Sequence, residues 1–365
     1  VNTEYLVVGA GLTGAVIARL LTDAGRRVLV VERRQRVAGN CADDTHPSGI
    51  RYHLYGPHYF RTNSHDIWNF VNRFGEFQPF RAQVKSLVQG KYENWPIAGS
   101  YLRAVAPDFV PSKSGSGPAA NFEEAALRIM PTVVYELFVK EYNEKQWGCP
   151  ATLLTPDLCK RFAIHEDDNP YLKPKHRFQG IPKNGYTKLV EHILQGIPVI
   201  TNCDFFKYRN NFVWTRYLIY TGPVDEYFEY SLGRLQYRGQ RRNVQYYPDV
   251  EGFILPVVQV NYPLHAQGPQ IRRIEWKWLM EPKYAERIRG SLITEEIPFS
   301  PESPEEYEYP AQDFANRELY TKYKNLCDQE RGVLICGRLG EYRYYDMDQA
   351  IARAQLLARR VLNED

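Results

Sequence analysis

The sequence predicts an α/β protein in which a Rossmann-like nucleotide-binding domain carries an inserted helical bundle and an antiparallel β-sheet domain. Three observations predict it. Tyr5 to Val8 is a strand-like run, followed by the glycine turn Gly9-Ala10-Gly11-Leu12-Thr13-Gly14, a helix pattern from Ala15 to Ala24 and the apolar run Val28-Leu29-Val30-Val31. A strand apolar at every position suits a parallel sheet buried on both faces, and the βαβ unit needs a right-handed crossover. A second buried-strand pattern, Val333-Leu334-Ile335-Cys336, comes only near the end, before Gly337-Arg338 and a closing helix from Met347 to Leu362. The third observation is the change of pattern between them, helical spacing first and short alternating runs after it.

The elements follow in order. Gly25 is placed to stop the first helix. Ser86-Leu87-Val88 and Tyr92-Glu93-Asn94-Trp95 read as a hairpin turning at Gln89-Gly90-Lys91. The stretch from Pro107 to Pro118 is a surface loop. Asn121, with Glu124 three residues on, starts a helix in the manner of a capping box. Pro131 suits the first position of the next helix, in which Val134, Leu137, Phe138 and Tyr142 share one face. Lys160 to Lys175 is polar, contains Pro170 and Pro174, and reads as mobile. A turn at 181–186 precedes a helix from Lys188 to Leu194, and strands follow at 198–200 and 218–221. Short alternating runs from Leu235 to Ile297 suggest antiparallel sheet. At ~150 residues per domain, 365 residues make two or three units. The nucleotide domain is assigned 1–80, 181–234 and 325–365, the helical domain 97–180 with a mobile loop at 160–178, and the sheet domain 81–96 and 235–324.

Lys+Arg 46 against Asp+Glu 43 leaves a net charge of +3, which argues against a dedicated nucleic-acid binder. Aromatic residues make up 14%, with Tyr 27 exceeding Phe 17. Tyrosine suits surfaces that stack a flat group and hydrogen-bond beside it. None of the six cysteines forms a CxxC pair, so neither a metal site nor a redox dithiol is expected. Scattered thiols fit a reducing, cytoplasmic compartment. No apolar run approaches the ~20 residues of a membrane span, and a chain opening on a strand leads us to expect no signal peptide.

GxGxxG becomes specific when it follows a strand, opens a helix and is followed by an acid at the end of the next strand, here Glu32. Gly9 permits the tight turn, Gly11 lets a pyrophosphate approach the backbone, and Gly14 lets helix and strand pack closely. The helix N-terminus offers free N–H groups to phosphate, and Glu32 can accept from a ribose hydroxyl. Arg33 and the second glycine turn Gly39-Asn40 follow. A chain that leaves its nucleotide domain and returns at Gly337-Arg338 resembles flavoproteins of the glutathione-reductase and amine-oxidase type, which implies FAD in a Rossmann-like FAD-binding domain.

Longer segments then resemble one family, the bacterial UDP-galactopyranose mutases. They include Tyr55-Gly56-Pro57-His58-Tyr59-Phe60-Arg61-Thr62, Glu144-Lys145-Gln146-Trp147-Gly148, Gln179-Gly180-Ile181-Pro182, Tyr220-Thr221-Gly222-Pro223-Val224-Asp225-Glu226-Tyr227-Phe228 and the run from Gly337 to Met347. The resemblance implies conversion of a nucleotide-linked sugar between pyranose and furanose without net redox change. N5 of reduced FAD attacks the anomeric carbon, and UDP is lost and recaptured. It also implies an external reductant such as NAD(P)H and a homodimer.

By that resemblance, Phe138, Tyr142 and Trp147 hold the base, while Arg272, Tyr309 and Tyr344 hold the diphosphate. His58, Arg338, Tyr344, Asp346 and Met347 meet the flavin beside Gly9, Gly11, Gly14, Glu32, Arg33 and Asn40. Arg272, His58 and His165 are the catalytic candidates. The chain departs from the family pattern at the substrate. His165 stands where the family has an arginine, Phe178 where it has a tyrosine, Asn143 where it has a threonine, and Ala82 where it has an asparagine. Lys173, Lys175 and Arg177 are the candidates to compensate at the first of these. Losing a charged hydrogen bond to phosphate costs about 1.5–3 kcal/mol, unless the pocket serves a different nucleotide sugar. An FAD-dependent amine oxidase or desaturase, and a flavin-binding homologue without catalysis, are the competing readings. If UDP takes the family pose, His165→Arg tightens UDP binding in a titration. Unchanged affinity removes His165 from the diphosphate.

Overall fold

In the computed structural model, which describes residues 1–110, 118–162 and 167–364, β1 (Asn2–Val8) and β2 (Val28–Val31) run parallel, with Tyr5 opposite Val28 and Val8 opposite Val31. α1 (Leu12–Asp23) joins them, and Gly25 at φ +78° turns the chain where few other residues can. The sheet has five parallel strands in the order Val199–Ile200, β2, β1, Val213–Tyr220 and Val333–Ile335. Alternation decides its packing. Val7, Val30 and Ile219 face α1 and the closing helix Met347–Asn363, which presents Ile351, Ala354, Ala358 and Val361 at helical spacing. Leu6, Leu29 and Leu218 face Phe205, Phe212 and Tyr227 on the other side. Both faces are covered, which is why β2 is apolar at every position.

The second sheet has seven strands, in the order Tyr309–Pro310, Tyr237–Tyr247, Ser291–Phe299, Arg272–Glu275, Gln259–Asn261, Val84–Val88 and Lys91–Trp95. It is not wholly antiparallel as expected, because Gln259–Asn261 runs parallel to Val84–Val88. These two strands come from separate stretches of chain. No hairpin dictates their direction, and the long connection supplies the crossover that a parallel pair requires. The hairpin pairs Val88 with Lys91, so its turn is only Gln89-Gly90, both at positive φ. That backbone matches the twist of the flanking strands. A third sheet, Phe60–Thr62, Phe178–Pro182 and Phe77–Pro79, was not expected.

In the helical region Asn121 accepts from the Glu124 N–H at 2.9 Å, as a cap should, while the Glu124 carboxylate takes the Ala120 N–H at 2.7 Å. Pro131 is the cap of the next helix rather than its first residue. That helix widens to π geometry over Tyr135–Val139 before continuing as Lys140–Trp147, stopped by Gly148 at φ +71°. The wider turn changes the face. Val134, Tyr135, Phe138 and Val139 enter the core, while Leu137 and Tyr142 stay half-buried. A uniform 3.6-residue period overlooks such an insertion. Among the described residues, no helix is long and apolar enough to cross a membrane.

His53 lies between these units. It is 2% exposed, and its ring packs against Trp276 and Tyr186. Its Nδ1 accepts the His58 N–H at 3.0 Å. Burial pushes the imidazole down to about 3, so His53 stays neutral where the unfolded chain, titrating near 6.5, takes up a proton. Its contribution is complete above about pH 6.5 and is lost as pH falls towards 3, by up to about 1.4 kcal/mol per unit. Thermal melts between pH 7 and 5 are therefore expected to decline more steeply for the parent than for His53→Asn. Equal slopes refute the assignment.

Candidate active site

The glycine turn shows which of its constraints are internal. A β-carbon on Gly9, at φ +103°, would lie 2.1 Å from Thr221 Oγ1, and one on Gly14 would lie 2.1 Å from the Gly9 carbonyl. Gly11 differs, since its β-carbon would meet nothing nearer than Gly39 Cα at 3.8 Å. The space over Gly11 is thus a cradle at a helix N-terminus, which fits a dinucleotide pyrophosphate. The Glu32 carboxylate braces the turn by accepting the N–H groups of Ala10 and Arg34, at 2.8 and 2.9 Å. Each oxygen retains a second lone pair for a ribose hydroxyl. Arg33 pairs with Glu226 at 2.8 Å, and Asn40 accepts from Arg34 and donates to the Tyr307 carbonyl.

One cleft is lined by Gly9, Gly11, Gly14, Glu32, Arg33, Asn40, His58, Arg338 and Met347. His58 Nδ1 lies 2.7 Å from the Gly56 carbonyl, which can only accept, so Nδ1 carries the proton and Nε2 is left as an acceptor. Burial, reinforced by His53 and Arg338, lowers this imidazole to about 3 and keeps it neutral. Tyr344 and Asp346 are not in the lining of this cleft. Arg338 bridges to them: its guanidinium lies 4.7 Å from the Tyr344 ring centroid, and it donates to the carbonyls of Tyr345 and Glu308.

Beyond Arg338 the rings of Tyr309 and Tyr344 are parallel at 5.8 Å, with Trp147 edge-on to Tyr309 at 6.5 Å. Burial pushes the Tyr309 hydroxyl up to about 12 against the pull of Arg272, so it remains protonated. Burial likewise raises half-buried Tyr142, which also feels the charges of Arg272, Glu296 and Arg161. Arg272 is held by sheet register. Strands Tyr237–Tyr247, Ser291–Phe299 and Arg272–Glu275 set Arg242 opposite Glu296 and Glu296 opposite Arg272. Fully buried Glu296 accepts Arg242 Nε at 2.9 Å on one oxygen and Arg272 Nε on the other. Burial opposes the charge on Arg272, but Glu296 outweighs it and raises the guanidinium well above its usual range. Because Nε makes that bond, the two Nη groups are left for an anion. Arg242 closes the network with two 2.7 Å bonds to Glu308. Gly56, at φ +89°, leaves the room it needs, since a β-carbon there would lie 2.8 Å from Glu296 Oε1.

Arg272, Tyr309, Tyr344, Tyr142 and Trp147 are therefore brought together. Other candidates are elsewhere. Phe138 is core, 2% exposed and stacked on Trp95. Asn143 is buried, donating to the Val139 carbonyl at 2.7 Å. Phe178 lies parallel to Trp68 at 5.3 Å. Ala82 is buried in the cluster around Trp276. His165 falls outside the described residues. Of the compensating cations, Lys173 lies near Arg61 and Asp346, while Lys175 and Arg177 are exposed.

Sequence reasoning missed three residues. Glu296 looked like any strand acid, and its partners appear only with the register. Lys145 donates to the carbonyls of Tyr262, Leu264 and Gln270. It locks the helix Lys140–Trp147 onto the sheet, so its matched motif is partly a junction. Arg161 ends the helix Pro156–Arg161, and its guanidinium lies 3.6 Å over the Tyr344 ring. A basic pair in a polar stretch reads as solvated. Removing one partner of a buried ion pair costs about 3–5 kcal/mol. Glu296→Gln is expected to destabilise the fold by an amount of that order, read as a lower melting temperature, and an unchanged melt would show that the network carries no such load.

A family model described as UDP-galactopyranose mutase matches residues 137–344, and one described as an NAD(P)-binding Rossmann-like domain matches residues 7–74. The chain is 32% identical to a probable UDP-galactopyranose mutase of Klebsiella pneumoniae, over 97% of this chain and 93% of the relative. It is 31% identical to a dTDP-fucopyranose mutase of Escherichia coli, over 96% of each. The fold matches a crystal structure of reduced UDP-galactopyranose mutase with TM-score 0.78 at 16% identity, over 100% of this chain and 95% of that one. A putrescine oxidase shares the fold alone, with TM-score 0.61 at 10% identity over 100% and 99% of the chains. The Rossmann-like domain and the run from residue 137 to the paired tyrosines thus match on sequence and shape alike, and the chain belongs to the UDP-galactopyranose mutase family, a family of isomerases.

Proposed function

We propose that the chain interconverts the pyranose and furanose forms of a nucleotide-linked sugar, with UDP-galactopyranose as substrate and FAD as cofactor. The observation that carries this reading is the grouping of Arg272, Tyr309, Tyr344 and Tyr142 next to the dinucleotide cleft, with Arg338 reaching both. Reduced FAD, when bound, supplies the nucleophile for the anomeric carbon. Gly9, Gly11, Gly14 and Glu32 would hold its pyrophosphate and ribose end, with Arg338, His58 and Met347 on the flavin side.

The chain's own residues supply the rest. Arg272 binds the diphosphate through its Nη groups and stabilises the charge that appears on it as the glycosidic bond breaks. Tyr309 and Tyr344 donate hydroxyl hydrogen bonds to the same oxygens, and the raised Tyr309 keeps its proton while doing so. Tyr142 offers a ring face to the base. His58, neutral with Nε2 free, accepts a hydrogen bond and adds no positive charge to compete for the diphosphate. Holding the diphosphate in place after departure favours its recapture. An external reductant such as NAD(P)H, a homodimer and a cytoplasmic setting belong to this reading.

A second reading keeps the chemistry and changes the sugar. The near-equal likeness to a dTDP-fucopyranose mutase supports it. So do Phe178, turned onto Trp68, and Asn143, turned onto its own helix. Protein reduced with dithionite is to be incubated with UDP-galactopyranose, UDP-galactofuranose and dTDP-fucopyranose, and followed by chromatography. Interconversion of a UDP sugar supports the first reading, and conversion of only the dTDP sugar the second. No conversion of any sugar, together with oxygen-dependent turnover of an amine, overturns both. Arg272→Ala is expected to lower kcat/KM at least about a hundredfold with the flavin spectrum intact, and retained activity removes its diphosphate role.

A further inference from the structure

Lys145 is a buried cation that the proposed chemistry leaves unused. Its side chain is 8% exposed, and its ammonium donates to the carbonyls of Tyr262, Leu264 and Gln270 at 3.0, 2.6 and 3.2 Å. These partners are carbonyls rather than a carboxylate, and burial pushes the ammonium down to about 8 against the pull of Glu141. Holding a cation there costs folding free energy that an apolar side chain of similar length would not. What the ammonium supplies is geometry, since each of its three N–H groups meets a different carbonyl.

The three carbonyls lie on both arms of the connection between the strands Gln259–Asn261 and Arg272–Glu275. The Tyr262 N–H donates to the Ile271 carbonyl at 2.8 Å and closes the base of that connection, while the Ile271 N–H donates to the Glu296 carbonyl at 2.9 Å. The ammonium therefore fixes the chain just before it reaches Arg272. On the helix Lys140–Trp147 it lies between Tyr142 and Trp147, and Glu141 accepts the His265 N–H from the same connection. A second clasp holds the end of this helix. Arg238 donates to the carbonyls of Gln146 and Lys145 at 2.8 and 3.1 Å, and Gln240 donates to the Gln146 side chain at 2.8 Å. Both clasps lead to the Arg272 network, the first through Ile271 and the second through the strand that carries Arg242. The helix cannot slide on the sheet without breaking bonds at one of them.

We infer that Lys145 is a positioning residue that sets the span between the base side, Tyr142 and Trp147, and Arg272, so that a nucleoside diphosphate is held at both ends at once. The inference rests on the proposed reading of the cleft as a nucleotide-sugar site. A ligand that bridges two fixed sites gains from their spacing and loses that gain when the spacing drifts. The span is also linked to pH, because above about 8 the neutral amine has two N–H groups for three carbonyls. The other charged or titratable groups around it are Glu141, Glu144 and Cys149 on the helix side, His265, Tyr262 and Arg273 with Glu295 on the connection and its strands, and Arg238. Carboxylates and imidazoles ordinarily titrate below this range and arginines above it, while burial raises both Cys149 and Tyr262.

The test compares UDP, which bridges the span, with uridine and pyrophosphate, which each meet one end, by titration calorimetry on the flavin-loaded protein. Lys145→Met keeps much of the length of the side chain and removes its donors. UDP binding is expected to weaken about tenfold in this variant, with uridine and pyrophosphate each changing less than about twofold. In the parent, the ratio of UDP to uridine affinity is expected to fall as pH rises from about 7.5 to 9, and in Lys145→Met to stay level. Taking the ratio cancels ionisation of the base itself. UDP affinity close to that of the parent, an equal loss for UDP and uridine, or a loss for pyrophosphate as large as that for UDP overturns the inference and leaves the mutase reading intact. If Lys145→Met fails to fold, the parent decides, since a ratio that stays level with pH also overturns the role. A parent protein that binds neither UDP nor dTDP overturns the mutase reading itself.

Discussion

Glu296 is the carboxylate around which the proposed substrate side of this molecule is built. It has no exposure to solvent, and it stands in one rung of the sheet with Arg242 on one neighbouring strand and Arg272 on the other. A buried guanidinium is stable only with a counter-charge close by. An arginine meant for a ligand must also keep donors unspent. Using Nε for the ion pair meets both demands at once. The arrangement imposes a condition on the opposing loop, where Gly56 must lack a side chain, and another on Tyr309, whose hydroxyl stays protonated in the same enclosure. Arg242 and its two bonds to Glu308 keep Glu296 from serving Arg272 alone, so the rung behaves as one unit.

The end that holds the glycine turn is organised differently. Its precision comes from backbone and missing β-carbons, with Glu32 bracing the turn through two N–H groups. Charge is supplied by the helix N-terminus rather than by buried ion pairs. The two ends meet at Arg338 and Tyr344, and the units that carry them are tied by charged donors on neutral carbonyls. Lys145 reaches three carbonyls of the sheet region, and Arg238 takes the Gln146 carbonyl in the space left by Gly148. A motif that looks like a binding sequence is thus also a fastening. Its Trp147 touches Tyr309 because Lys145 and Gln146 hold the helix end there.

Local pattern made part of this legible. The βαβ unit, the hairpin and the closing helix rest on short-range physics: a continuous apolar strand, a glycine-containing turn, an apolar stripe repeated at helical spacing. The π segment at Tyr135–Val139 was not legible, because one extra residue per turn leaves composition unchanged while it rotates Phe138 into the core. The sheet of Phe60–Thr62, Phe77–Pro79 and Phe178–Pro182 was hidden for another reason. Its strands are too short to show alternation, and Phe178–Pro182 is far from its partners in the chain.

By itself the sequence determined the nucleotide-binding turn and the family, since motifs record which residue types a chemistry needs, and through the family resemblance it nominated Arg272, Tyr142, Tyr309 and Tyr344. Tertiary structure alone decided which of them meet. Register paired Glu296 with two arginines, packing withdrew Phe138 and Asn143 into the core and laid Phe178 on Trp68, and the path of the chain after Cys159 laid Arg161 on Tyr344. Those outcomes depend on groups distant in sequence coming within a few ångströms, and no periodicity or spacing in a single chain encodes that distance.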